Sequence, residues 1–152
     1  MAASGRISQG RLAVWREFLE AHALVVGQLE AELDAARALP LAWYDVLVAL
    51  SEASDRRLRM QDLADRVLFS RSGLTRLVDR MVAAGYVERI RCEDDRRGTY
   101  AVLTPVGAAC LRDATGVHLL GVADHFDRHL SETDVRALHH ALRKILDGET
   151  AA

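Results

Sequence analysis

Residues 69–81 read FSRSGLTRLVDRM and predict a helix with one apolar seam and one basic side. The apolar residues recur at the i, i+3, i+4, i+7 spacing that one buried helix face requires. They are Leu74, Leu77, Val78 and Met81. Ser70 is placed to cap the first turn with its hydroxyl, and Gly85 is placed to end the helix in a left-handed conformation. The stretch therefore predicts a helix over 71–84.

The other side of this helix carries arginines and hydroxyls but a single acid. Its residues are Arg71, Ser72, Thr75, Arg76, Asp79 and Arg80. Adjacent residues on a helix do not face each other, so Asp79 is not expected to neutralise Arg80. Each of these two is expected to tie the helix to a neighbouring element or to bind a phosphate. The excess of unmatched arginine indicates an anionic partner outside the chain.

Helical patterns precede this stretch. Apolar residues at mixed three- and four-residue spacing predict a long amphipathic helix over about 12–36, and Pro40 begins a second helix, LAWYDVLVALSEA. The segment DRRLR, residues 55–59, is interpreted as a linker to a short helix, MQDLADRV. Two short helices joined by a tight turn are typical of a helix-turn-helix.

Short β-rich pieces follow the basic helix. YVERIRC and TYAVLT flank EDDRRG, which predicts a β-hairpin with a charged tip. Thr104 and Pro105 then open a helix to about His129. Ser131 with Asp134 forms a capping box for a last helix through about Leu146. The chain is thus predicted to be mainly α with a small β-hairpin wing.

Composition favours one soluble domain, because half of the 152 residues are apolar and about a quarter are charged. Two cysteines argue against a secreted disulfide framework. The sequence also shows neither a signal peptide nor an apolar run long enough for a membrane span, so we expect a cytoplasmic protein that does not enter the membrane. Charge is uneven: residues 56–100 hold eleven arginines and seven acids, a surplus of +4, whereas both flanking regions are net acidic.

A helix-turn-helix followed by an arginine-tipped hairpin predicts a winged helix-turn-helix that binds double-stranded DNA. The second helix enters the major groove, where arginine binds guanine and hydroxyls reach bases or phosphates. The hairpin arginines enter a narrow minor groove, oriented by a neighbouring aspartate. The predicted DNA-binding residues are Ser70, Arg71, Ser72, Thr75, Arg76, Arg80, Asp95, Arg96 and Arg97.

These residues resemble the multiple antibiotic resistance regulator (MarR) family. The family's Thr-Arg-Leu-Val-Asp-Arg core is matched by residues 75–80. Its wing pattern, Asp-x-Arg and an apolar strand ending in Leu-Thr, is matched by Asp95, Arg97, Leu103 and Thr104. The resemblance implies a homodimer on a pseudo-palindromic operator. Helices over about 8–36 and 105–147 would dimerise, and residues 40–104 would form the DNA-binding lobe of a single 1–152 domain.

The resemblance also implies a repressor that a small aromatic or anionic effector releases from DNA. The chain has few aromatic residues, and several of them cluster where family members bind effectors. The predicted ligand-binding residues are Trp15, Phe18, His22, Trp43, Tyr44 and Arg71.

Several alternatives stay open at this point. Cys92 and Cys110 would suit a redox-responsive regulator, and the helical spacing of His118, His125 and His129 would suit a metal-responsive one. Packing explains these cysteines and histidines more simply, so no metal site or cofactor is predicted. A winged helix that binds protein instead of DNA would not need the basic lobe. No nucleophile elbow, phosphate loop or paired metal ligands occur in the sequence, so we do not expect an enzyme.

Overall fold

The computed structural model describes residues 7–36, 38–67, 69–92 and 98–150, and it is mainly helical, as predicted. The chain begins with α1 (Gln9–Ala35) and α2 (Leu41–Glu52). A short 3-10 helix (Ser54–Arg56) leads to strand β1 (Arg57–Arg59), and α3 (Met60–Val67) and α4 (Arg71–Ala83) follow. Strands β2 (Val87–Arg91) and β3 (Thr99–Leu103) come next. The chain ends with α5 (Pro105–His125), a 3-10 helix (Asp127–His129) and α6 (Glu132–Thr150).

The described chain divides into two compact units. One contains Leu29–His118, and the other contains the chain up to Gln28 and from Leu119 onward. The Leu29–His118 unit holds the hydrophobic core, to which α2, α3, α4 and the sheet all contribute. Its largest fully buried side chains are Leu33, Val46, Leu47, Leu50, Leu63, Leu74, Val78, Met81 and Val87.

The sheet has three antiparallel strands in the order β1-β3-β2. Tyr100 pairs with Arg59 on one side and Ile90 on the other, and Ala101 pairs with Leu58 and Arg89. Because directly paired residues share a face, Ala101 and its partners form the inner face, and Tyr100 and its partners form the outer face. The linker prediction for DRRLR was wrong, since this segment supplies β1. A strand of three residues, one of them apolar, is too short for the sequence alone to identify it as a strand.

The helices mostly begin and end where their caps predict. The α3 prediction, MQDLADRV, is confirmed, and α4 ends at Ala83, one residue before the predicted end. Two predictions near the C-terminus were wrong. The helix predicted to reach His129 stops at His125, because Phe126 leaves helical geometry with φ −127° and ψ −64°. The last helix continues past Leu146 to Thr150, since Gly148 lowers helix propensity without ending a helix.

Thr104 joins the base of the wing to α5. Its hydroxyl accepts a hydrogen bond from the Gly107 amide at 3.0 Å, which caps α5, and donates one to the Gly85 carbonyl at 2.7 Å. The Thr104 amide also donates to the Tyr86 carbonyl at 3.2 Å. One buried side chain thus satisfies polar groups in the segment after α4 and in the first turn of α5.

We expect Thr104→Val to lower the free energy of unfolding by about 1–2 kcal/mol, because it removes a helix cap and the partly buried hydrogen bond to the Gly85 carbonyl. Urea denaturation monitored by circular dichroism measures the change. Thr104→Ser, which keeps the hydroxyl, is the matched control. An equal loss in both variants would contradict the assignment of the effect to the hydroxyl.

Candidate nucleic-acid interface

Helix α4 forms as its sequence predicts. The Ser70 hydroxyl accepts a hydrogen bond from the Gly73 amide at 3.2 Å, which confirms Ser70 as the N-cap. Gly85 has a φ of 81°, so the predicted left-handed end of the helix is also confirmed. The four residues of the apolar seam are all buried, at most 2 % exposed. With one side held in the core, the opposite side of α4 is left to solvent.

The exposed side of α4 presents a continuous basic stripe. Its members, which we call the α4 stripe, are Arg71, Ser72, Thr75, Arg76, Asp79 and Arg80, and all are exposed. Within the described residues, no hydrogen bond or ion pair engages the guanidinium groups of Arg71, Arg76 and Arg80. The Thr75 hydroxyl donates to the Arg71 carbonyl at 2.9 Å, and its oxygen can still accept a hydrogen bond.

The single acid of the α4 stripe is paired from outside the helix. Nη2 of Arg89, on β2, lies 3.0 Å from Oδ1 of Asp79. The same nitrogen donates to the Thr75 carbonyl at 3.2 Å. Asp79 thus ties the helix to the hairpin, one of the two roles that the sequence predicted for it. Arg89 was missed as a site residue, because the contact depends on how the strand packs against the helix.

The wing is described only at its base. The Cys92 amide donates to the Gly98 carbonyl at 2.9 Å and closes the hairpin beyond the paired strands. The predicted DNA-binding residues Asp95, Arg96 and Arg97 lie outside the described residues. Their role stays a prediction.

The outer face of the sheet carries two further arginines that were not predicted as site residues. The guanidinium carbons of Arg57 and Arg59 lie 5.0 and 5.6 Å from the centre of the Tyr100 ring. Cation–π attraction at these distances holds both cations beside the ring. The alternation in Arg57-Leu58-Arg59 was the available signal, because residues i and i+2 of a strand share a face.

The predicted ligand-binding residues are found in both units. Trp15, Phe18 and His22 are exposed along α1, with Trp15 and Phe18 stacked at 6.1 Å between ring centroids. In the Leu29–His118 unit, Trp43 packs edge-on against Tyr86 at 5.6 Å between ring centroids. The ring of buried Tyr44 is tilted against that of His118, at 4.3 Å between centroids. Arg71 is exposed at the first position of α4.

A cleft of about 470 Å³ lies between the end of α1 and the start of α2. It is lined by Glu30, Leu33, Asp34, Ala38, Leu39, Pro40, Leu41 and Ala42. None of the six predicted ligand-binding residues is among them. The volume suits a small organic molecule.

The cysteines considered as redox sensors and the histidines considered as metal ligands take ordinary structural positions. Cys92 is buried, and Cys110 is half-buried beside the Tyr86 hydroxyl, whose pKa is raised by its hydrogen bond to this thiol. In the part of the chain that the structure describes, no three His, Cys, Asp or Glu side chains are grouped so as to hold a metal ion.

His118 lies in a partly buried environment. Its Nδ1 is buried and makes no hydrogen bond to any described residue. Burial lowers the pKa of His118 below its ordinary value of 6.5, and the charge of nearby Asp45 partly opposes this shift. Burial likewise raises the pKa of Asp45 above 3.8. The folded state therefore favours a neutral imidazole at neutral pH.

We expect acid to destabilise the fold through His118. Below about pH 6.5 the unfolded chain binds this proton more readily than the folded chain, so stability falls as pH drops through that value. Asp45 acts with the opposite sign, over a pH range that extends upward from its ordinary pKa of 3.8 to its raised value in the folded chain. Urea denaturation at about pH 7.5 and about pH 5.5 should show a smaller loss for His118→Phe than for the wild type. His139→Gln, which changes an exposed histidine, is the control. A pH dependence in His118→Phe equal to that of the wild type would contradict the assignment.

Known proteins of one family are similar to this chain. A model of the MarR family matches residues 39–98. AbsC, a MarR family transcriptional regulator from Streptomyces coelicolor, has 36% sequence identity over 96% of this chain and 98% of its own, with a TM-score of 0.87. The chain belongs to the MarR family. Because members of this family are transcriptional regulators, the expectation that the chain is not an enzyme agrees with its relatives.

Two more proteins are similar to this chain. Sco3205, a MarR family regulator from the same organism solved in complex with DNA, has 32% identity and a TM-score of 0.87 over 93% of this chain and 89% of its own. The multiple antibiotic resistance protein MarR of Salmonella typhimurium is 33% identical over 73 residues, 48% of this chain. That match spans about half, 51%, of the curated relative's length. Among the described residues, no helix is both long enough and apolar enough to cross a bilayer.

Proposed function

We propose that this MarR-family chain is a sequence-specific DNA-binding regulator of transcription. The observation that carries the proposal is the α4 stripe, where three exposed arginines lack partners among the described residues while the single acid is paired by Arg89. Exposed guanidinium groups beside hydroxyls match base edges and phosphates in a major groove. The wing residues Asp95, Arg96 and Arg97 would add a minor-groove contact. The solved complex of Sco3205 with DNA supports this partner by analogy.

We propose that the regulator acts as a homodimer. The unit outside Leu29–His118 exposes many large apolar side chains, and exposed apolar patches mark sites of protein–protein contact. They include Val14, Trp15, Phe18, Leu19, Leu24, Leu119, Leu120, Phe126, Val135, Ile145 and Leu146. All of these lie within the predicted dimerisation ranges, about 8–36 and 105–147, and all but Phe126 lie on helices. A second copy would cover them and set two α4 helices on the half-sites of a pseudo-palindromic operator.

We propose further that the regulator is a repressor, released from DNA by a small aromatic or anionic effector. The exposed aromatic row of α1 suits an aromatic ligand by its chemistry. Arg71, whose guanidinium has no partner among the described residues, would suit an anionic one. An effector that binds better to the form that cannot hold DNA shifts the population away from the operator. A differential affinity of about 1–3 kcal/mol is enough for a typical coupling.

Selection of duplexes by the purified protein tests the DNA proposal. Both genomic fragments and random-sequence duplexes are offered at low ionic strength, and bound sites are recovered and aligned. We expect an enriched pseudo-palindrome whose affinity falls steeply with salt. Failure to retain any duplex would overturn the proposal.

Sedimentation of the free and the DNA-bound protein tests the dimer. Transcription from a promoter that carries the recovered site, measured with and without aromatic carboxylates, tests repression and release.

A further inference from the structure

The acid within the α4 stripe creates an electrostatic problem for a DNA-binding surface. Asp79 is the only acid in the sequence of α4. Residues three apart on a helix are neighbours, so a free Asp79 carboxylate would lie close to Arg76 and could pair with it. Such a pair would withdraw Arg76 from base contact. If Asp79 stayed unpaired instead, its carboxylate would repel the phosphates of an approaching duplex.

The structure shows a different pairing. Asp79 is bound by Arg89 of β2 at 3.0 Å, and Arg76 keeps its guanidinium without a partner among the described residues. The Arg89 side chain is 30% exposed, whereas that of Asp79 is 60% exposed. The inner face of the sheet therefore brings a cation to an acid that would otherwise face the DNA. The hydrogen bond from Arg89 to the Thr75 carbonyl holds the guanidinium against the helix backbone.

We propose that Arg89 is a positioning residue that masks Asp79 and so keeps Arg76 available for DNA. The inference rests on the proposed DNA-binding function and adds to it a residue outside the α4 stripe. Arg89 does not have to touch the duplex in order to act. It neutralises the acid and removes the competing partner of Arg76. The masking role differs from a purely structural brace, in which the ion pair would serve only to hold the strand against the helix.

A double-mutant cycle separates these two roles. Arg89→Met keeps an apolar stem of similar length, and Asp79→Asn keeps the shape of the side chain while removing its charge. Masking predicts that Arg89→Met weakens binding to a duplex selected from random sequence by about tenfold, because it exposes an unpaired carboxylate. Asp79→Asn binds as well as the wild type or more tightly. In the double variant, where no acid remains to be masked, affinity returns to near that of the wild type.

A brace predicts the opposite pattern, because either single change breaks the same contact and the double variant cannot recover. Recovery of affinity in the double variant, with unfolding free energies of the two single variants reduced alike, is the result expected from masking. The loss in Arg89→Met should also shrink as salt is raised, since screening weakens charge repulsion.

A double variant that binds as poorly as Arg89→Met would overturn the inference while leaving the proposed function intact. A wild-type protein that binds no duplex would overturn both. Circular dichroism of every variant shows whether the fold persists, and Arg89→Lys, which restores a cation at this position, should recover part of the affinity if charge is what matters.

Discussion

Gly107→Ala should lower the free energy of unfolding by about 1–3 kcal/mol, because the new methyl group has no room. A Cβ at this position would lie 2.2 Å from the Tyr86 carbonyl oxygen and 3.1 Å from Cδ1 of Leu103. The carbonyl cannot easily retreat, since it accepts the 3.2 Å hydrogen bond from the Thr104 amide. Alanine's better helix propensity, about 1 kcal/mol over glycine, offsets only part of this cost.

Gly116→Ala is the matched control for this change. It lies in the same helix, and a Cβ there meets no atom within 4 Å. The higher helix propensity of alanine should then raise stability by about 0.5–1 kcal/mol. Urea midpoints at one fixed protein concentration, which the proposed dimerisation makes necessary, should therefore move in opposite directions. A shift of the same sign in both variants would contradict the close approach of α5 to the Tyr86 backbone.

Arg76→Ala should weaken binding to the selected duplex by about 1–3 kcal/mol, or about 5- to 150-fold, if its guanidinium reads a base edge. Binding to unrelated duplexes should change far less, since base contacts rather than phosphate contacts specify sequence. The fold should be unaffected, because Arg76 is exposed and makes no contact that stabilises α4 in the described residues. Fluorescence anisotropy with selected and unrelated duplexes measures both affinities.

Arg112→Ala is the control for the loss of one positive charge. Arg112 is exposed on α5 in the same unit as the α4 stripe. Its removal should leave sequence discrimination unchanged. If Arg76→Ala and Arg112→Ala reduced affinity equally for every duplex, the role of Arg76 would be reduced to bulk charge, and the assignment of α4 as the reading helix would fail.

Local signals explain which parts of the fold were predictable. Ser70 and Gly85 mark the limits of α4 through capping chemistry that involves neighbouring residues only, and the prediction was within one residue. The Ser131–Asp134 capping box is confirmed in the same way, by hydrogen bonds in both directions. Strand β1 was missed because its hydrogen-bonding partner, β3, is more than 40 residues away.

The candidate site likewise combines residues that local signals predict with contacts that they do not predict. The α4 stripe was predictable because helical periodicity assigns its residues to the side opposite the buried seam. The pairing of Arg89 with Asp79 was not, since it requires both the register of β2 and the packing of the sheet on α4. The grouping of Arg57 and Arg59 at Tyr100 likewise depends on a strand that only the sheet reveals.

By itself, the amino-acid sequence determined the order of the helices, the caps of α4, the buried seam and the basic character of the opposite side. These features depend on periodicity and on contacts within one or two helical turns, which the local chain dictates. Only the tertiary structure decided which charges of that side are free. Ion pairs and close approaches such as that of Gly107 to Tyr86 form between segments distant in sequence, so they exist only once the core has fixed the distances between them.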